Sequence, residues 1–272
     1  LVKDERWARR FEGEIKTLVR LVHLNLVRLQ ESGREDSLIW LAMDWVEGDD
    51  LSGYLKMSRK TGGHIDLEGI GSVIGQIIEG LRHLHLHQIV HRDLKPSNLL
   101  VGEDGILKLA DFGLAKSIGG EESSMLTATG TLAGTGPYMA PEQWMGLELS
   151  AATDVWALGV IWHELVAGKR PELGKLKLKE LRKNCPDTWI RAITGCLQQD
   201  PEERWSLEAL SKVFPKAPLP EPKPAPVKSR TEDPIVTLKG MLEIARLLES
   251  LMEQTLRTGK SHFPGLEGKS LD

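Results

Sequence analysis

The pattern of apolar and polar residues changes along the chain from strand-like to helix-like. An early stretch repeats apolar residues at helical spacing, at Trp7, Phe11, Ile15, Leu18 and Leu21. Two short apolar runs follow, at 26–29 and 38–46, and glycines at 33 and 48 bound them as predicted strands. Later in the chain helical spacing dominates, and the predicted helices cover 66–87, 154–167, 187–198 and 206–213. Strands followed mostly by helices predict an α+β fold in two unequal lobes.

The last part of the chain has a different pattern. Six prolines lie between Pro215 and Pro226, and their fixed φ and missing N–H groups predict an extended linker over 215–232. An amphipathic helix is predicted at 233–259 and a flexible end at 260–272. Because the apolar stripe of this helix lasts only about three heptads, we expect it to dock on its own chain or on a weak partner helix.

Composition narrows the class of protein. The 272 residues carry a net charge of −4, so no strong basic field indicates a nucleic-acid partner. The sequence contains no run of about 18 apolar residues, so it predicts no membrane span. The two cysteines, Cys185 and Cys196, are expected to be reduced thiols that pack in a core. These features favour a globular protein of the cytoplasm.

The stretch 91–113, HRDLKPSNLLVGEDGILKLADFG, contains the clearest candidate chemistry. Its central Asp-Gly turn between two apolar runs predicts a hairpin. Because a hairpin brings its two open ends together, Asn98 and Asp111 should face the same point with amide and carboxylate oxygens. Hard oxygen ligands of this kind suit Mg²⁺. Nearby, Asp93 and Lys95 supply a proton acceptor and a cation for phosphate.

Five segments in register resemble the motifs of eukaryotic-type serine/threonine protein kinases. The matching segments are 91–98, 111–113, 140–142, 154–159 and 200–204. In the last of them, Arg204 is expected to pair with Glu142. The resemblance extends over about 5–214 and implies the two-lobe kinase fold. A partial small lobe of a few antiparallel strands and one helix would occupy 1–50, and a mostly helical large lobe would occupy 51–214.

The resemblance implies a role for each matching residue in transfer of the ATP γ-phosphoryl group to a protein substrate. Asp93 would be the catalytic base, Lys95 would steady the γ-phosphoryl group, and Asn98 and Asp111 would hold Mg²⁺ or Mn²⁺. Thr135 would contact Asp93 and Lys95 and help define the substrate hydroxyl. Lys95 and Thr135 resemble the residues that serine/threonine kinases, rather than tyrosine kinases, have at these positions.

The resemblance also implies a nucleotide-binding set and a packed spine. Asp44 and Val46 would meet the adenine with backbone groups, Asp50 would reach the ribose, and Leu100 would form the adenine floor. Lys95, Ser97 and the regulatory-helix residue Glu14 complete the implied nucleotide contacts. The implied gatekeeper is Met43, and the implied apolar spine consists of Leu18, Leu29, His91 and Phe112.

A segment rich in hydroxyl groups, 117–134, precedes the 140–142 motif. In the family, an arginine at the position of Arg92 binds a phosphate on this segment, and this binding orders the segment. Two threonines, Thr127 and Thr129, resemble the sites used in bacterial receptor kinases because of their spacing to Thr135. We therefore expect autophosphorylation at these threonines.

Two family features are not visible before Glu14: a glycine-rich loop and a strand lysine. Lys3 lies only eleven positions ahead of Glu14, at the expected helix entrance rather than on a strand. The simpler interpretation is that the first strands lie upstream of Leu1, in which case this chain alone would have little activity. The alternative is that the chain is a pseudokinase or a scaffold. The intact Asp93 and its neighbours disfavour this alternative, because a scaffold does not need them.

Overall fold

Helices and two small antiparallel sheets make up the part of the chain that this computed structural model describes. The described residues are 15, 17–35, 38–61, 65–112, 136–171 and 185–214, all within the compact unit Leu1–Pro222. The strands are β1 Leu29–Glu35, β2 Leu38–Met43, β3 Gly48–Asp50, β4 Leu99–Gly102 and β5 Leu107–Leu109. The helices are α1 Leu51–Thr61, α2 Leu67–Leu86, α3 Pro141–Trp144, α4 Ala151–Ala167, α5 Asp187–Cys196 and α6 Leu207–Ser211. This order confirms the predicted α+β class.

The first sheet pairs β1 with β2, and its strands differ from those predicted. β1 begins at Leu29 instead of ending there, and Gly33 lies inside the strand rather than bounding it. The physical reason is a cross-strand contact, because Gly33 lies opposite Trp40 and a Cβ at this position would come within 2.2 Å of the indole ring. Leu26, which precedes β1, instead forms a parallel bridge with Leu109 on β5.

The second sheet has the strand order β3–β4–β5 and includes the predicted hairpin. Gly105 has φ of +80°, the left-handed conformation that glycine adopts at little cost. The carboxylate of Asp104 accepts a hydrogen bond from the Ile106 N–H at 2.9 Å, which closes the turn. The hairpin prediction is therefore confirmed, and β4 and β5 deliver the flanking polar residues to one edge.

Two long helices, α2 and α4, form the centre of the described core. The α2 helix starts where predicted, because Asp66 caps it by accepting the Gly69 N–H at 2.6 Å. The α4 helix starts three residues earlier than predicted, because Ser150 caps the Ala152 N–H. Nearly all of α4 is buried, which explains why the helix has apolar residues on all of its faces and little amphipathic pattern.

Aromatic packing joins the end of the described chain to this core. The Trp162 ring lies 5.6 Å from Trp189 and 5.1 Å from Phe214, measured between centroids. Trp162 is fully buried, as expected from its apolar helical surroundings. No helix within the described ranges combines the length and the apolar character needed to cross a bilayer.

Several sequence predictions lie outside the described residues. They concern the linker 215–232, the helix 233–259, the end 260–272 and the residues Glu14, Thr127, Thr129 and Thr135.

Candidate active site

The loop between α2 and β4 brings three of the predicted site residues into one cluster. The Lys95 ammonium donates to Asp93 Oδ2 at 2.7 Å, and the Asn98 amide donates to the same oxygen at 3.1 Å. The Asn98 amide also donates to the Asp93 carbonyl at 2.9 Å. A short 3₁₀ turn at 96–98 makes this possible by folding Asn98 back over Asp93. The cluster joins a carboxylate, an ammonium and an amide within a few ångströms.

The second oxygen of the Asp93 carboxylate is in a different situation. Oδ1 is buried and has no hydrogen-bond partner in the described part of the chain. Buried polar atoms without a partner are uncommon, because burial removes water that would otherwise bond to them. This oxygen keeps the capacity to accept a hydrogen bond, for example from a hydroxyl group.

Asn98 and Asp111 are adjacent, as the hairpin predicts. The Ala110 N–H donates to the Asn98 carbonyl at 2.9 Å, which places Asp111 directly beside the 3₁₀ turn. Asp111 has φ of +58° and an exposed side chain. Because the Asn98 NH₂ group bonds to Asp93, its Oδ1 atom faces away from that carboxylate and lies 3.5 Å from the Ser97 hydroxyl. The backbone of Asn98 is therefore joined to the residue that precedes Asp111.

The oxygen groups of Asn98 and Asp111 fit Mg²⁺ better than a soft or borderline metal. No group of three His, Cys, Asp or Glu residues within the described ranges could hold a metal ion. Mg²⁺ typically takes one or two protein oxygens and completes its shell with water and phosphate oxygens. An amide and a carboxylate on one rim meet that requirement, and Mn²⁺ accepts the same ligands.

The buried carboxylate of Asp154 holds the backbone of the loop that carries Asp93. Asp154 Oδ2 accepts the His91 N–H at 2.8 Å, and Oδ1 accepts the Arg92 N–H at 2.9 Å. His85 Nε2 also lies 2.8 Å from Oδ2. Arg92 has φ of +68°, a strained value that these bonds stabilise. This function was not predicted from the sequence, although a carboxylate at the start of an otherwise apolar helix signals a buried polar partner.

A second support for the loop comes from α3. Gln143 Nε2 donates to the Arg92 carbonyl at 2.8 Å, while its Oε1 accepts the Ala140 N–H at 2.9 Å. The pattern of the sequence did not predict this function of Gln143. Its signal is weak, because glutamine after a proline at a helix start is also an ordinary capping residue.

The predicted ion pair between Arg204 and Glu142 is present and buried. Arg204 Nη1 and Nη2 lie 2.7 and 2.8 Å from the two Glu142 carboxylate oxygens. Burial alone would raise the pKa of Glu142, but the hydrogen-bonded guanidinium outweighs it and holds this pKa below its usual range. The pair fixes the Ala140–Glu142 motif against the turn that precedes α6.

The four residues of the implied spine are all buried. Leu18, Leu29 and Phe112 belong to the main core cluster, and His91 is fully enclosed. Burial lowers the pKa of His91, so its ring stays neutral at physiological pH. Neither ring nitrogen has a hydrogen-bond partner among the described residues, which fits a packing position.

Four of the residues expected to contact nucleotide lie just after β2 or on β3 and β4. The Asp44 N–H donates to the Arg28 carbonyl at 2.9 Å, and the Asp44 carboxylate accepts from Gln30. Within the described ranges, the Asp44 carbonyl and the Val46 N–H make no hydrogen bond.

Asp50 and Leu100 are register partners on β3 and β4. Asp50 caps α1, since its Oδ1 accepts the Gly53 N–H at 2.9 Å and the Ser52 hydroxyl at 2.5 Å. Met43, the expected gatekeeper, ends β2 with an exposed side chain. The second sheet therefore brings Asp50 and Leu100 side by side.

Comparison with known proteins identifies the family. The protein kinase domain profile matches residues 2–214. A probable serine/threonine-protein kinase of Clostridium acetobutylicum is 29% identical over 230 residues, which cover 78% of this chain and 34% of that protein. PrkC of Bacillus subtilis is 33% identical over 187 residues, 67% of this chain and 28% of PrkC. PknA of Mycobacterium tuberculosis is 35% identical over 176 residues, 63% of this chain and 39% of PknA.

The chain spans about a third of the length of the curated relatives that it matches. The family match nevertheless covers most of this chain, and the residues that resemble the catalytic loop form one hydrogen-bonded cluster. The chain belongs to the protein kinase family.

Proposed function

We propose that this chain acts as a serine/threonine protein kinase, which transfers the γ-phosphoryl group of ATP to a hydroxyl group of a protein substrate. The observation that carries the proposal is the Asp93 carboxylate. One oxygen accepts from Lys95 and Asn98, and the other is buried without a partner among the described residues. The names of the relatives, serine/threonine-protein kinases, support the same class.

Asp93 has the position of a general base in this reaction. Its Oδ1 accepts the proton of the substrate hydroxyl while that hydroxyl oxygen bonds to the γ-phosphorus and the bond to ADP breaks. Lys95, 2.7 Å from the other carboxylate oxygen, places a positive charge where the transferred group carries negative charge. A scaffold that only binds partners would not require this arrangement.

Asn98 and Asp111 would hold the divalent cation, Mg²⁺ or Mn²⁺. When bound, the cation neutralises negative charge on the phosphate oxygens. The backbone bond from Ala110 to Asn98 keeps the two proposed ligands close together. Ser97 lies beside this rim, and its hydroxyl is positioned to bond to a phosphate oxygen.

For the adenosine part of ATP, we propose the Asp44 carbonyl and the Val46 N–H as adenine contacts, because they make no bond within the described ranges. Asp50 would meet the ribose with the carboxylate oxygen that does not cap α1, and Leu100 would form the apolar floor. Glu14 and Thr135 complete the proposal from the family resemblance. A cytoplasmic location is proposed from Cys185 and Cys196, which are buried thiols outside any disulfide bond.

The test is phosphate transfer by the full-length protein with ATP, Mg²⁺ and a mixture of protein substrates. Asp93→Asn keeps the size of the side chain but cannot take the proton, so we expect turnover to fall by about 10²–10⁴-fold. Asp187→Asn, an exposed position at the start of α5, is the matched control. Unchanged turnover in Asp93→Asn would remove the assigned role, and phosphotyrosine as the main product would exclude the serine/threonine class.

A further inference from the structure

Three histidine side chains stack where the turn at 23–26 meets the end of α2. The ring centroids of His23 and His83 lie 4.7 Å apart with an interplanar angle of 26°, and those of His83 and His87 lie 4.6 Å apart. His83 lies in the last turn of α2, and His87 follows that helix. His23 and His83 are half-buried, whereas His87 is exposed. The turn and the helix therefore meet through rings that can each take up a proton in the range of neutral to mildly acidic pH.

The hydrogen bond that His23 accepts requires a neutral ring. The Asn25 N–H donates to His23 Nδ1 at 3.1 Å, so this nitrogen presents a lone pair and the ring proton lies on Nε2. The Leu26 N–H donates to the His23 carbonyl at 3.2 Å and closes the turn. A proton on Nδ1 would set two N–H donors against each other and break the bond to Asn25.

Asn25 joins the turn to α2 and β5. Its side-chain amide donates to Gln76 Oε1 at 3.0 Å and to the Leu107 carbonyl at 2.8 Å, and its own carbonyl accepts the Leu109 N–H at 2.9 Å. Asn25 is only 2% exposed, so these bonds are shielded from water. The proton on the His23 ring is therefore coupled to a buried connection between three elements.

A protonated His83 ring would lack a hydrogen-bond partner. Its Nε2 atom is buried and makes no hydrogen bond with any residue that the structure describes. The neutral ring can leave this nitrogen without a proton, whereas the charged ring carries an N–H on both nitrogens. A buried N–H without an acceptor costs free energy. Protonation of both stacked rings would also place two positive charges in mutual repulsion, because the His23 and His83 centroids are only 4.7 Å apart.

The charged groups that face His23 come from α2 and β5. Burial lowers the pKa of His23, and the neighbouring His83 lowers it further. Glu79 on α2 raises this pKa, whereas Lys108 on β5 lowers it. The Lys108 ammonium also donates to the Leu24 carbonyl at 2.8 Å, which fixes this cation beside the same turn. The lowering causes outweigh the single carboxylate, so the folded chain favours the neutral His23 ring.

The surroundings of His83 act in the same direction. Burial and the neighbouring His87 lower the pKa of His83. His87 Nδ1 donates to the His83 carbonyl at 2.8 Å, which holds the outer ring of the stack in place. The Glu79 carboxylate accepts from Arg82 at 2.9 Å, so a protonated ring would have to share it with a permanent cation.

We propose that His23 and His83 form a pH-sensitive contact, which joins the turn at 23–26 to α2 while both rings are neutral and opens as they take up protons. This device goes beyond phosphate transfer and does not depend on it. Because the pKa of each ring is lower in the folded chain than in the unfolded chain, the unfolded chain binds more protons in mild acid. The stability that the contact contributes is therefore present above the unfolded pKa of about 6.5 and is lost as pH falls from there to the folded pKa.

The first test is urea unfolding of the full chain, followed by tryptophan fluorescence, from about pH 8 to about pH 5.5. His23→Asn supplies an acceptor oxygen near the position of Nδ1, and His83→Phe keeps a ring for stacking, but neither new side chain takes up a proton. We expect the unfolding equilibrium constant to rise several-fold more in the wild type than in the double variant as pH falls. The other histidines are present in both proteins, so the difference between the two profiles belongs to this pair.

His87→Gln is the matched control, because it removes the exposed ring of the stack and leaves the His23–His83 contact in place. This variant should keep most of the wild-type pH dependence. Identical pH profiles in the wild type and the double variant would overturn the proposal, and so would a loss of pH dependence in His87→Gln as large as in the double variant.

The second test uses the wild-type chain alone, so it stands even if the double variant does not fold. NMR of the imidazole nitrogens should show His23 with its proton on Nε2, and both His23 and His83 should take up their second proton below the ordinary pH of about 6.5. Hydrogen exchange at the Leu109 N–H, which bonds to Asn25, should become faster relative to the unfolded chain as the rings are protonated. A proton on His23 Nδ1 in the neutral ring, protonation at or above the ordinary pH, or unchanged protection of the Leu109 N–H would each contradict the pH-sensitive contact.

Discussion

Replacing Glu142 with glutamine tests the buried ion pair that joins α3 to the turn before α6. The side chains of Glu142 and Arg204 are 4% and 0% exposed, and two N–O contacts of 2.7 and 2.8 Å join them. Glutamine keeps the shape of the side chain but not its charge. The Arg204 guanidinium would then remain buried with a neutral amide as its partner.

The expected loss of stability follows from the surroundings of Arg204. Removing one partner of a buried ion pair costs about 3–5 kcal/mol, because the other charge stays desolvated. Arg204 keeps bonds of 2.9 Å to the Ala152 and Gln198 carbonyls, and its Cζ lies 5.1 Å from the centre of the Trp156 ring. These contacts stabilise part of the orphaned charge, so we expect a loss near about 3 kcal/mol.

Urea unfolding of the full chain, followed by tryptophan fluorescence, measures this loss. Glu148→Gln is the matched control, since Glu148 is exposed beyond α3 and should change the free energy of unfolding by less than about 0.5 kcal/mol. Replacing both partners, Glu142→Leu with Arg204→Met, should cost less than Glu142→Gln because no buried charge is left alone. A loss in Glu142→Gln no larger than that of the control would refute this reasoning.

The same pair makes stability depend on pH. The pKa of Glu142 is lower in the folded chain than in the unfolded chain. Its contribution is therefore present above the unfolded pKa of about 4.3 and is lost as pH falls through the folded pKa. Wild-type protein should lose stability more steeply than Glu142→Gln over that acidic window. Parallel pH profiles of the two proteins would contradict this assignment.

Four further substitutions test other contacts of the site and core. Asp154→Asn replaces one of two acceptors for the loop N–H groups with an NH₂ donor, so urea unfolding should show a loss of about 2–3 kcal/mol and transfer assays a lower turnover. Gly80→Ala should destabilise by about 1–3 kcal/mol, since its Cβ would lie 2.7 Å from a leucine methyl and 3.0 Å from a carbonyl oxygen. Gly75→Ala on the same helix meets nothing within 4 Å and should stabilise by up to about 1 kcal/mol. Tyr138→Phe removes a donor from buried Glu164 and should cost about 1–2 kcal/mol by thermal unfolding, whereas an unchanged melting temperature would show that the bond contributes no net stability.

The parts of the fold that sequence reasoning predicted well depend on short-range signals. The hairpin of β4 and β5 follows from one Asp-Gly turn, and the start of α2 follows from the Asp66 cap. The Asp93–Asn98 cluster follows from a motif that spans only a few residues. In each case the interacting groups are close in sequence, so local geometry limits how they can meet.

The errors arose where the deciding residue lay elsewhere in the sequence or carried no apolar signal. Gly33 was expected to bound a strand because glycine commonly does so, but it pairs with Trp40 across the sheet. The start of α4 was placed too late because its cap residue Ser150 carries no apolar signal. The support of the loop by Asp154 was missed because its partners lie more than sixty positions earlier.

The sequence by itself determined the α+β class, the kinase resemblance and the residues of the catalytic loop, because these depend on residue type at fixed short spacing. Only the tertiary structure decided that Asp93 keeps one oxygen without a partner among the described residues. It also decided that Arg59, Tyr138 and Glu164 meet in one cluster. The physical reason is that burial and charge balance depend on which distant segments pack together, and no local pattern specifies that.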